Sequence, residues 1–405
     1  MQNEGKQGKG NGTMESLDER KEIKSSGVIR NQSIDLLRGL TCISMVLVNS
    51  YPSPRPGWLS HPTGINEPIT FADTLFPCFL FTSGLATTRP TTSVNRKSSK
   101  YIRKQVVRAS KLIVLGIIYN NVMPRMVGSD PRGMLDFSTY RIPSVLGRIG
   151  MASVVSSLES YFDIPTPILS GFLGTIWYFA ARSNVLVPIG SSTQSKLDCL
   201  VFGRNHLYDP ANGFDPEGLL GSLLSAPISI LMGRYVAAYF SSSPSLSTTD
   251  KQVLDQPARI ISLGVLGCLL TGLFPSPSSK SYWTPTFIGQ STSLSMIYYS
   301  LSQALTKFQS SSVLVKVFEN LGKRSLEIFF LSSFVSQLVR DGGTFKNILF
   351  KTIGEYDHRD FIFKKIIDRL NFSDVQVGFL RSSLICLGMI PSSYLMVRFG
   401  WKIPV

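Results

Sequence analysis

Apolar residues in this chain come in blocks of about 17–25 positions, close to the length at which a helix crosses the hydrocarbon core of a bilayer. Lipid offers exposed backbone groups no hydrogen-bond partner, so each block is predicted to be a helix. The pattern predicts an all-α, polytopic transmembrane helical bundle of about ten spans, at residues 34–51, 70–88, 111–127, 144–161, 166–189, 217–240, 259–275, 282–306, 322–339 and 376–398.

The polar remainder supports one domain rather than several. Residues 1–30 are rich in Gly, Lys and Glu and lack the apolar core of a signal peptide, which predicts a disordered tail before a single transmembrane domain at 31–405. Charged residues make up 17% of the chain, well below the roughly 25% of an average soluble protein. This composition argues against a soluble enzyme. Five cysteines without a CxxC motif indicate neither a disulfide framework nor a metal site.

The net charge of +15 would suggest a nucleic-acid partner, but the basic residues lie in a few connections between apolar blocks. In a membrane protein this distribution indicates topology. Residues 89–111 carry eight basic residues and no acid, whereas residues 340–375 carry seven basic residues and six acids. The positive-inside rule therefore places both termini and 89–111 in the cytosol, and 51–69, 182–216 and 340–375 on the lumenal or extracellular face.

Ionisable residues within predicted spans are costly in lipid and are candidates for function. Arg148 has no local counter-charge, so it needs an anionic partner from another helix or a ligand. Arg38, near the cytosolic mouth of the first span, is either half of an anchoring ion pair or a ligand contact. Glu217 follows Asp215 and Pro216 at the start of the sixth span, where an acid also suits the helix dipole.

Three polar residues of the first two spans are predicted to meet at the lumenal mouth. Asn49 ends the first span, His61 follows in the loop, and Asp73 enters the second span from the same face. An imidazole beside a carboxylate and an amide can perform general base or nucleophilic work. A solvated loop histidine is the alternative interpretation. His206 lies on the same face in another loop.

A set of ordered motifs is similar to the heparan-α-glucosaminide N-acetyltransferase family of membrane acetyltransferases. It begins with Ser33-Ile-Asp-Leu-Leu-Arg38-Gly, Met45-Val-Leu-Val-Asn49, Trp58 and His61. It continues with Thr70-Phe-Ala-Asp73-Thr-Leu-Phe-Pro77, Leu146-Gly-Arg148-Ile-Gly, His206-Leu-Tyr, Phe214-Asp-Pro-Glu217-Gly, Tyr282-Trp283 and the ending Trp401-Lys-Ile. The resemblance runs from about residue 30 to 405. The chain departs from the family pattern after His61 and at Cys78, which leaves the acceptor sugar open.

The resemblance implies transfer of an acetyl group from cytosolic acetyl-CoA to an amino sugar or related amine on the lumenal side. His61 falls at the family's catalytic histidine and Asn49 at the asparagine that works beside it. Asp73, predicted above to lie at the same mouth, is expected to hold the tautomer of the histidine and completes the expected catalytic set. Arg38 and Arg148 become candidate acetyl-CoA contacts, and the acceptor side is assigned to His206, Asp215, Glu217 and Trp283. No metal is implied.

The expected partners are membrane lipids and the amine acceptor, not nucleic acid, and a homodimer is left open. We expect the protein to lie in an endomembrane, either that of the lysosome or vacuole or that of the endoplasmic reticulum, rather than in the plasma membrane. Two other hypotheses remain: a multi-pass transporter or flippase, and a catalytically inactive homologue that binds a glycan or lipid.

Overall fold

The described part of the chain is built from helices, and its only β-type pairing is an isolated bridge between Asp209 and Phe214. In this computed structural model the described residues are 31–52, 55–61, 68–87, 98–126, 130, 132–185, 187–241, 250–273, 277–339 and 373–404. The predicted tail, the first nine residues of the basic segment and most of the 340–375 loop lie outside them.

Twelve main helices occur in these residues. They are α1 Gln32–Ser50, α2 Phe71–Leu85, α3 Ser99–Ile117, α4 Val145–Phe162, α5 Thr166–Val185, α6 Thr193–Phe202, α7 Ala226–Ser241, α8 Asp250–Gly272, α9 Pro285–Gln309, α10 Val313–Lys323, α11 Ser325–Val339 and α12 Asp374–Arg398. A π-helical turn at Ile118–Val122 carries α3 on to Met126, and a second at Gly221–Ser225 leads into α7.

The predicted all-helical class is confirmed, and each predicted span falls on a helix. Among the described residues, three helices are long and apolar enough to cross a membrane, at Gln32–Ser50, Ser99–Met126 and Val375–Arg398. Helix α3 begins 12 residues before the predicted span at 111, because the Ser98 side chain caps it by accepting the Lys100 backbone N–H. The basic segment is therefore partly helix surface rather than a polar connection. The number of spans and the sides of the termini stay predictions.

Serine-rich helices α4 and α9 lie inside the bundle in spite of their polarity. Their hydroxyls donate to carbonyls one turn earlier, as Ser156 does to Ala152 at 2.7 Å and Ser291 to Phe287 at 2.7 Å. Both serines are fully buried. A serine bonded in this way carries no unsatisfied group into the interior, and its small side chain lets neighbouring helices approach closely.

Helix α2 defines two ends of the bundle. Asp73 lies in its first turn and Ala86 follows its last, so 15 residues separate the ends by about 20 Å. We call the end with Asp73 and His61 the histidine end, and the end with Ala86 the basic end. The C-terminal segment lies at the basic end, where the Lys111 Nζ donates to the Pro404 carbonyl at 3.2 Å.

Helices α1 and α10 touch through two glycines. A Cβ added to Gly39 would lie 1.8 Å from the Phe318 carbonyl oxygen, and one added to Gly322 would lie 1.8 Å from the Asp35 carbonyl oxygen. Both obstacles are backbone, which cannot rotate away as a side chain can. This contact therefore requires glycine on both helices.

Replacement of Gly39 by Ala should force the two helices apart and cost about 1–3 kcal/mol of stability, the usual range for overpacking. The midpoint for heat-induced loss of the monodisperse protein in detergent should fall. Gly171→Ala in α5 is the matched control, because nothing lies within 4 Å of its added methyl group. Equal midpoints for the two variants would contradict this account of the α1–α10 contact.

Candidate functional site

His61 and Asp73, predicted to converge, are in contact at the histidine end. The His61 Nδ1 lies 2.8 Å from the Asp73 Oδ1. Asp73 also belongs to the capping box of α2, in which its Oδ2 accepts the Thr70 backbone N–H at 3.3 Å. The helix cap therefore fixes the carboxylate that faces the imidazole.

The loop that carries His61 is held on both sides. Leu59 is fully buried in an apolar cluster with Val48, Tyr51 and Leu75. The Thr70 hydroxyl donates to the Ser60 carbonyl at 2.9 Å. The His61 side chain itself keeps 37% of its surface exposed, against 2% for Asp73. The imidazole is thus anchored through Nδ1 and open to solvent elsewhere.

Lys280 is a third member of this group that the sequence did not predict. Its Nζ lies 2.6 Å from the His61 Nδ1 and 3.1 Å from the Asp73 Oδ1. Burial lowers the pKa of the Lys280 ammonium below its usual value, although the Asp73 carboxylate acts in the opposite direction. One cation and one anion therefore converge on one imidazole nitrogen.

A tight turn before α9 positions the Lys280 side chain beside His61 and Asp73. The Trp283 backbone N–H donates to the Lys280 carbonyl at 3.1 Å, and the Thr284 N–H donates to the Ser279 carbonyl at 3.2 Å. Trp283 has a φ of 51°, a left-handed conformation that costs free energy for a bulky residue. Its carbonyl accepts the Trp177 indole N–H at 2.5 Å, and its side chain is 2% exposed. Burial of Trp283 holds this turn in place.

Arg148, predicted to need an anionic partner or a ligand, lies under the same tryptophan. Its guanidinium carbon is 4.4 Å from the centre of the Trp283 ring, and it donates to the Pro216 carbonyl at 2.6 Å and the Ser222 hydroxyl at 3.1 Å. Arg148 is fully buried, and its Nη1 has no hydrogen-bond partner among the described residues. The cation is stabilised by the aromatic face and by backbone oxygen rather than by a direct ion pair.

Arg141 joins the two acids predicted on the acceptor side. It donates to Asp215 from Nε at 2.9 Å and from Nη2 at 2.7 Å, and it contacts the Glu217 carboxylate as well. Asp215 is fully buried and also accepts the backbone N–H groups of Tyr208 and Glu217. Burial acts to lower the pKa of Arg141, but the two carboxylates outweigh it and raise that pKa. Asp215 is therefore a structural clamp, and Glu217 is the acid with exposed surface.

The remaining acceptor-side candidates have structural partners. The His206 ring Nδ1 lies 2.7 Å from the Tyr140 carbonyl, and the His206 carbonyl accepts the Ile142 N–H at 3.0 Å. These bonds hold the backbone that carries Arg141. Trp283 packs against Phe76 and Phe287 in edge-on contacts. His206 and Trp283 thus support the charged groups beside them, and neither is placed as an open substrate contact.

Asn49 is not brought into hydrogen-bond contact with His61. It lines a separate cavity of about 540 Å³ with Tyr119, Ser332, Gln337 and Arg381, among others. The reason is helix geometry, because Val48 faces the apolar cluster under the His61 loop and the next residue points about 100° away. The structure therefore pairs His61 with Asp73, and the role of Asn49 beside them stays a prediction.

A basic cavity of about 680 Å³ lies at the opposite end. Ala86 and Thr87 after α2 form one part of its lining, and α3 supplies the cations Lys100, Arg103, Lys104, Arg108 and Lys111. Arg38, the other predicted cofactor contact, lies nearby in α1, with its Nη2 3.5 Å from the Thr82 carbonyl. The cations are thus gathered at the far end of α2 from His61.

Sequence reasoning missed Lys280, Arg141 and Asp198. Each lies between two predicted spans, and its partner in the structure is more than 20 positions away along the chain. One signal was available, because Lys280 stands directly before the Tyr282-Trp283 motif. Only the turn closed by Trp283 shows where that lysine points.

No protein-family model matches this chain, and no curated protein matches it.

Asp198 provides a test of the buried charges at the histidine end. It is fully buried in α6, where its Oδ1 accepts the Leu219 N–H at 2.8 Å and its Oδ2 has no partner among the described residues. Burial raises the pKa of its carboxyl to about 6, against the effect of the Leu219 hydrogen bond, and the Asp215 carboxylate also raises it. The folded protein therefore favours the neutral acid.

Between about pH 4, the pKa of an unfolded aspartate, and pH 6, the folded protein holds more protons at this site than the unfolded chain. Its stabilising contribution is thus complete below about pH 4 and is lost as the pH rises through 6. Asp198→Asn should unfold at a higher temperature than native protein at about pH 8 and at a similar temperature at about pH 4. Asp209→Asn is the control, because hydrogen bonds from Asn212 lower the pKa of that carboxyl. A pH-independent effect of Asp198→Asn would refute the assignment.

Proposed function

We propose that this protein is a membrane-embedded acetyltransferase that moves an acetyl group from acetyl-CoA to an amine on the other side of the membrane. The observation that carries the proposal is the His61–Asp73 pair, which presents an anchored and partly exposed imidazole at one end of the bundle. The cavity rich in cations at the other end supports it. The motif resemblance supplies the reaction class.

The basic cavity suits the donor. Five cations line it, and the phosphates of acetyl-CoA are multivalent anions that lysine and arginine bind through charge-assisted hydrogen bonds. The thioester lies at the far end of a long flexible arm, so the phosphates and the reacting carbon can occupy different depths of the bundle. On this proposal the phosphates stay at the basic end while the thioester approaches His61.

A small apolar cavity of about 20 Å³ lies partway along α2, where Phe76 and Phe79 face Leu146 of α4 and Phe329 of α11. It has room for about one water molecule but not for an arm of the donor. Side-chain movement of these aromatic residues would be required to open a passage. The cavity is the natural place for that opening, because it lies between the two ends of α2.

The reacting atom of His61 is Nε2, because Nδ1 faces Asp73. In one route Nε2 takes a proton from the acceptor amine as the amine nitrogen attacks the thioester carbon, and the thiolate of CoA leaves. In the other route Nε2 attacks first and forms an acetyl-imidazole with release of CoA, and the amine then takes the acetyl group. Asp73 orients the ring and stabilises its positive charge in both routes.

The acceptor is an amine that reaches the histidine end, with an amino sugar as the first candidate. Glu217 offers a carboxylate with 17% of its side chain exposed, which can attract an ammonium group. The proposed topology has about ten spans with both termini in the cytosol. The position of the C-terminal segment at the basic end supports that arrangement. An endomembrane location follows from the resemblance alone.

His61→Ala should abolish transfer of labelled acetyl from acetyl-CoA to an amine in purified, reconstituted protein, because no other group in the pair can take the proton or the acetyl group. Expression and the elution profile in detergent should not change, since the His61 ring is partly exposed. His206→Ala is the histidine control and should lose stability rather than the chemical step. Turnover that survives in His61→Ala would remove His61 from the mechanism. Movement of an unmodified solute across the membrane without acetyl transfer would favour a transporter.

Arg103→Gln and Lys104→Gln together should raise the KM for acetyl-CoA about tenfold or more with little change in kcat, because each removes a charged contact to phosphate. The effect should shrink at high salt. Lys316→Gln in α10 is the control, as an exposed lysine that does not line the cavity. An unchanged KM in the double variant would exclude this cavity as the donor site.

A further inference from the structure

The His61 Nδ1 is the meeting point of two groups that cannot both bond to it. The Lys280 Nζ lies 2.6 Å away and the Asp73 Oδ1 lies 2.8 Å away, while the lysine and aspartate atoms are 3.1 Å apart. All three separations are within hydrogen-bond range, so the atoms form a closed triangle.

An imidazole nitrogen either carries a hydrogen and donates, or carries a lone pair and accepts. An ammonium can only donate and a carboxylate can only accept. If Nδ1 carries the proton, it bonds to Asp73 and cannot bond to a charged Lys280. If Nδ1 carries the lone pair, it accepts from Lys280 and faces the carboxylate without a hydrogen. The two bonds are therefore mutually exclusive as long as Lys280 is charged.

The choice at Nδ1 decides what Nε2 can do. A neutral imidazole carries one ring hydrogen, so a proton on Nδ1 leaves Nε2 with the lone pair that a base or a nucleophile needs. A hydrogen bond from Lys280 to Nδ1 has the opposite effect, because the ring hydrogen is then on Nε2. Asp73 thus promotes the reactive tautomer of His61, and a charged Lys280 opposes it.

We propose that Lys280 is a positioning residue that competes with Asp73 for the His61 Nδ1 and so sets the share of His61 in which Nε2 is reactive. This inference rests on the proposed acetyl transfer for its catalytic meaning. A neutral Lys280 amine has a lone pair, so it can accept a hydrogen bond from Nδ1–H instead of donating one to Nδ1. Loss of the lysine proton therefore switches the histidine to its reactive tautomer.

Lys280 is held in place to exert this effect. Its carbonyl is fixed by the Trp283 N–H, and its side chain is only 26% exposed. The charged groups that act on it are Asp73 in α2, Glu217 before α7 and Arg148 in α4, and the titratable group that contacts it is the His61 imidazole. The two acids stabilise its charge, whereas burial and Arg148 destabilise it, so its charge state depends on the site itself.

The test is the tautomer of His61 read by ¹⁵N NMR of ring-labelled histidine in detergent-solubilised full-length protein. The chain has three histidines, and the His61 signals are those absent from His61→Ala. Lys280→Met removes the ammonium and keeps an unbranched side chain of similar length. We expect the ratio of the Nδ1–H to the Nε2–H form to rise at least about tenfold, the factor that corresponds to one hydrogen bond to a charged group. Lys196→Met, on an exposed lysine of α6, should leave the ratio unchanged.

Native protein gives the second measurement and does not depend on the folding of a variant. Raising the pH should shift native His61 towards the Nδ1–H form as Lys280 loses its proton, whereas the Lys280→Met ratio should stay constant once His61 is neutral. The same ratio in native protein and Lys280→Met would overturn the proposal, and so would a native ratio that does not respond to alkaline pH.

Activity separates this inference from the function on which it rests. If acetyl transfer occurs, native kcat should go on rising at alkaline pH after His61 has become neutral, and this further rise should disappear in Lys280→Met while the KM for acetyl-CoA stays constant. A purely structural role for Lys280 would lower kcat at every pH and leave the profile unchanged in shape, which would contradict the proposal. A tautomer shift in a protein with no acetyl transfer would refute the proposed function but not the competition at Nδ1.

Discussion

The arrangement at the histidine end depends on one carboxylate, that of Asp73. It caps the first turn of α2 through Thr70, binds the His61 imidazole and contacts the Lys280 ammonium. A group with three partners in a buried position has little freedom to move, because each partner would be left unsatisfied. The two carboxylate oxygens of Asp73 therefore fix the relative positions of three segments: the start of α2, the loop before it and the turn before α9.

The other buried charged residues near Asp73 also have partners, because an ion removed from water needs a compensating group. Arg141 holds Asp215 and Glu217, and Arg148 lies on the Trp283 ring with oxygen atoms at its edge. Breaking one such contact leaves a buried charge without a partner, which is far more costly than the contact itself is favourable. These residues therefore act mainly as a rigid support, and the proposed chemistry is assigned to the partly exposed His61. The strained backbone of Trp283 fits this view, since a buried ring can hold a conformation that an exposed residue would leave.

The distance between the basic cavity and His61 follows from the length of α2. Cations gather around its C-terminal end and the imidazole lies at its N-terminal end, about 20 Å apart. A donor with charged phosphates and a remote thioester matches such a separation better than a compact metabolite would. The proposed competition at Nδ1 would add a control at the histidine end, through a lysine that is more than 200 residues away along the chain.

The sequence by itself determined the helical class and the approximate bounds of most helices, because block length and hydropathy reflect local solvation and need no knowledge of neighbours. It also indicated His61 and Asp73, which are 12 positions apart and flank one short connection. It did not predict the start of α3, where a serine cap begins the helix within a polar stretch, or the cavity that Asn49 lines. Only the tertiary structure decided that Lys280 reaches the imidazole and that Arg141 closes on Asp215. Such pairings depend on how helices that are distant in sequence pack together, and the local sequence around each residue carries no signal for them.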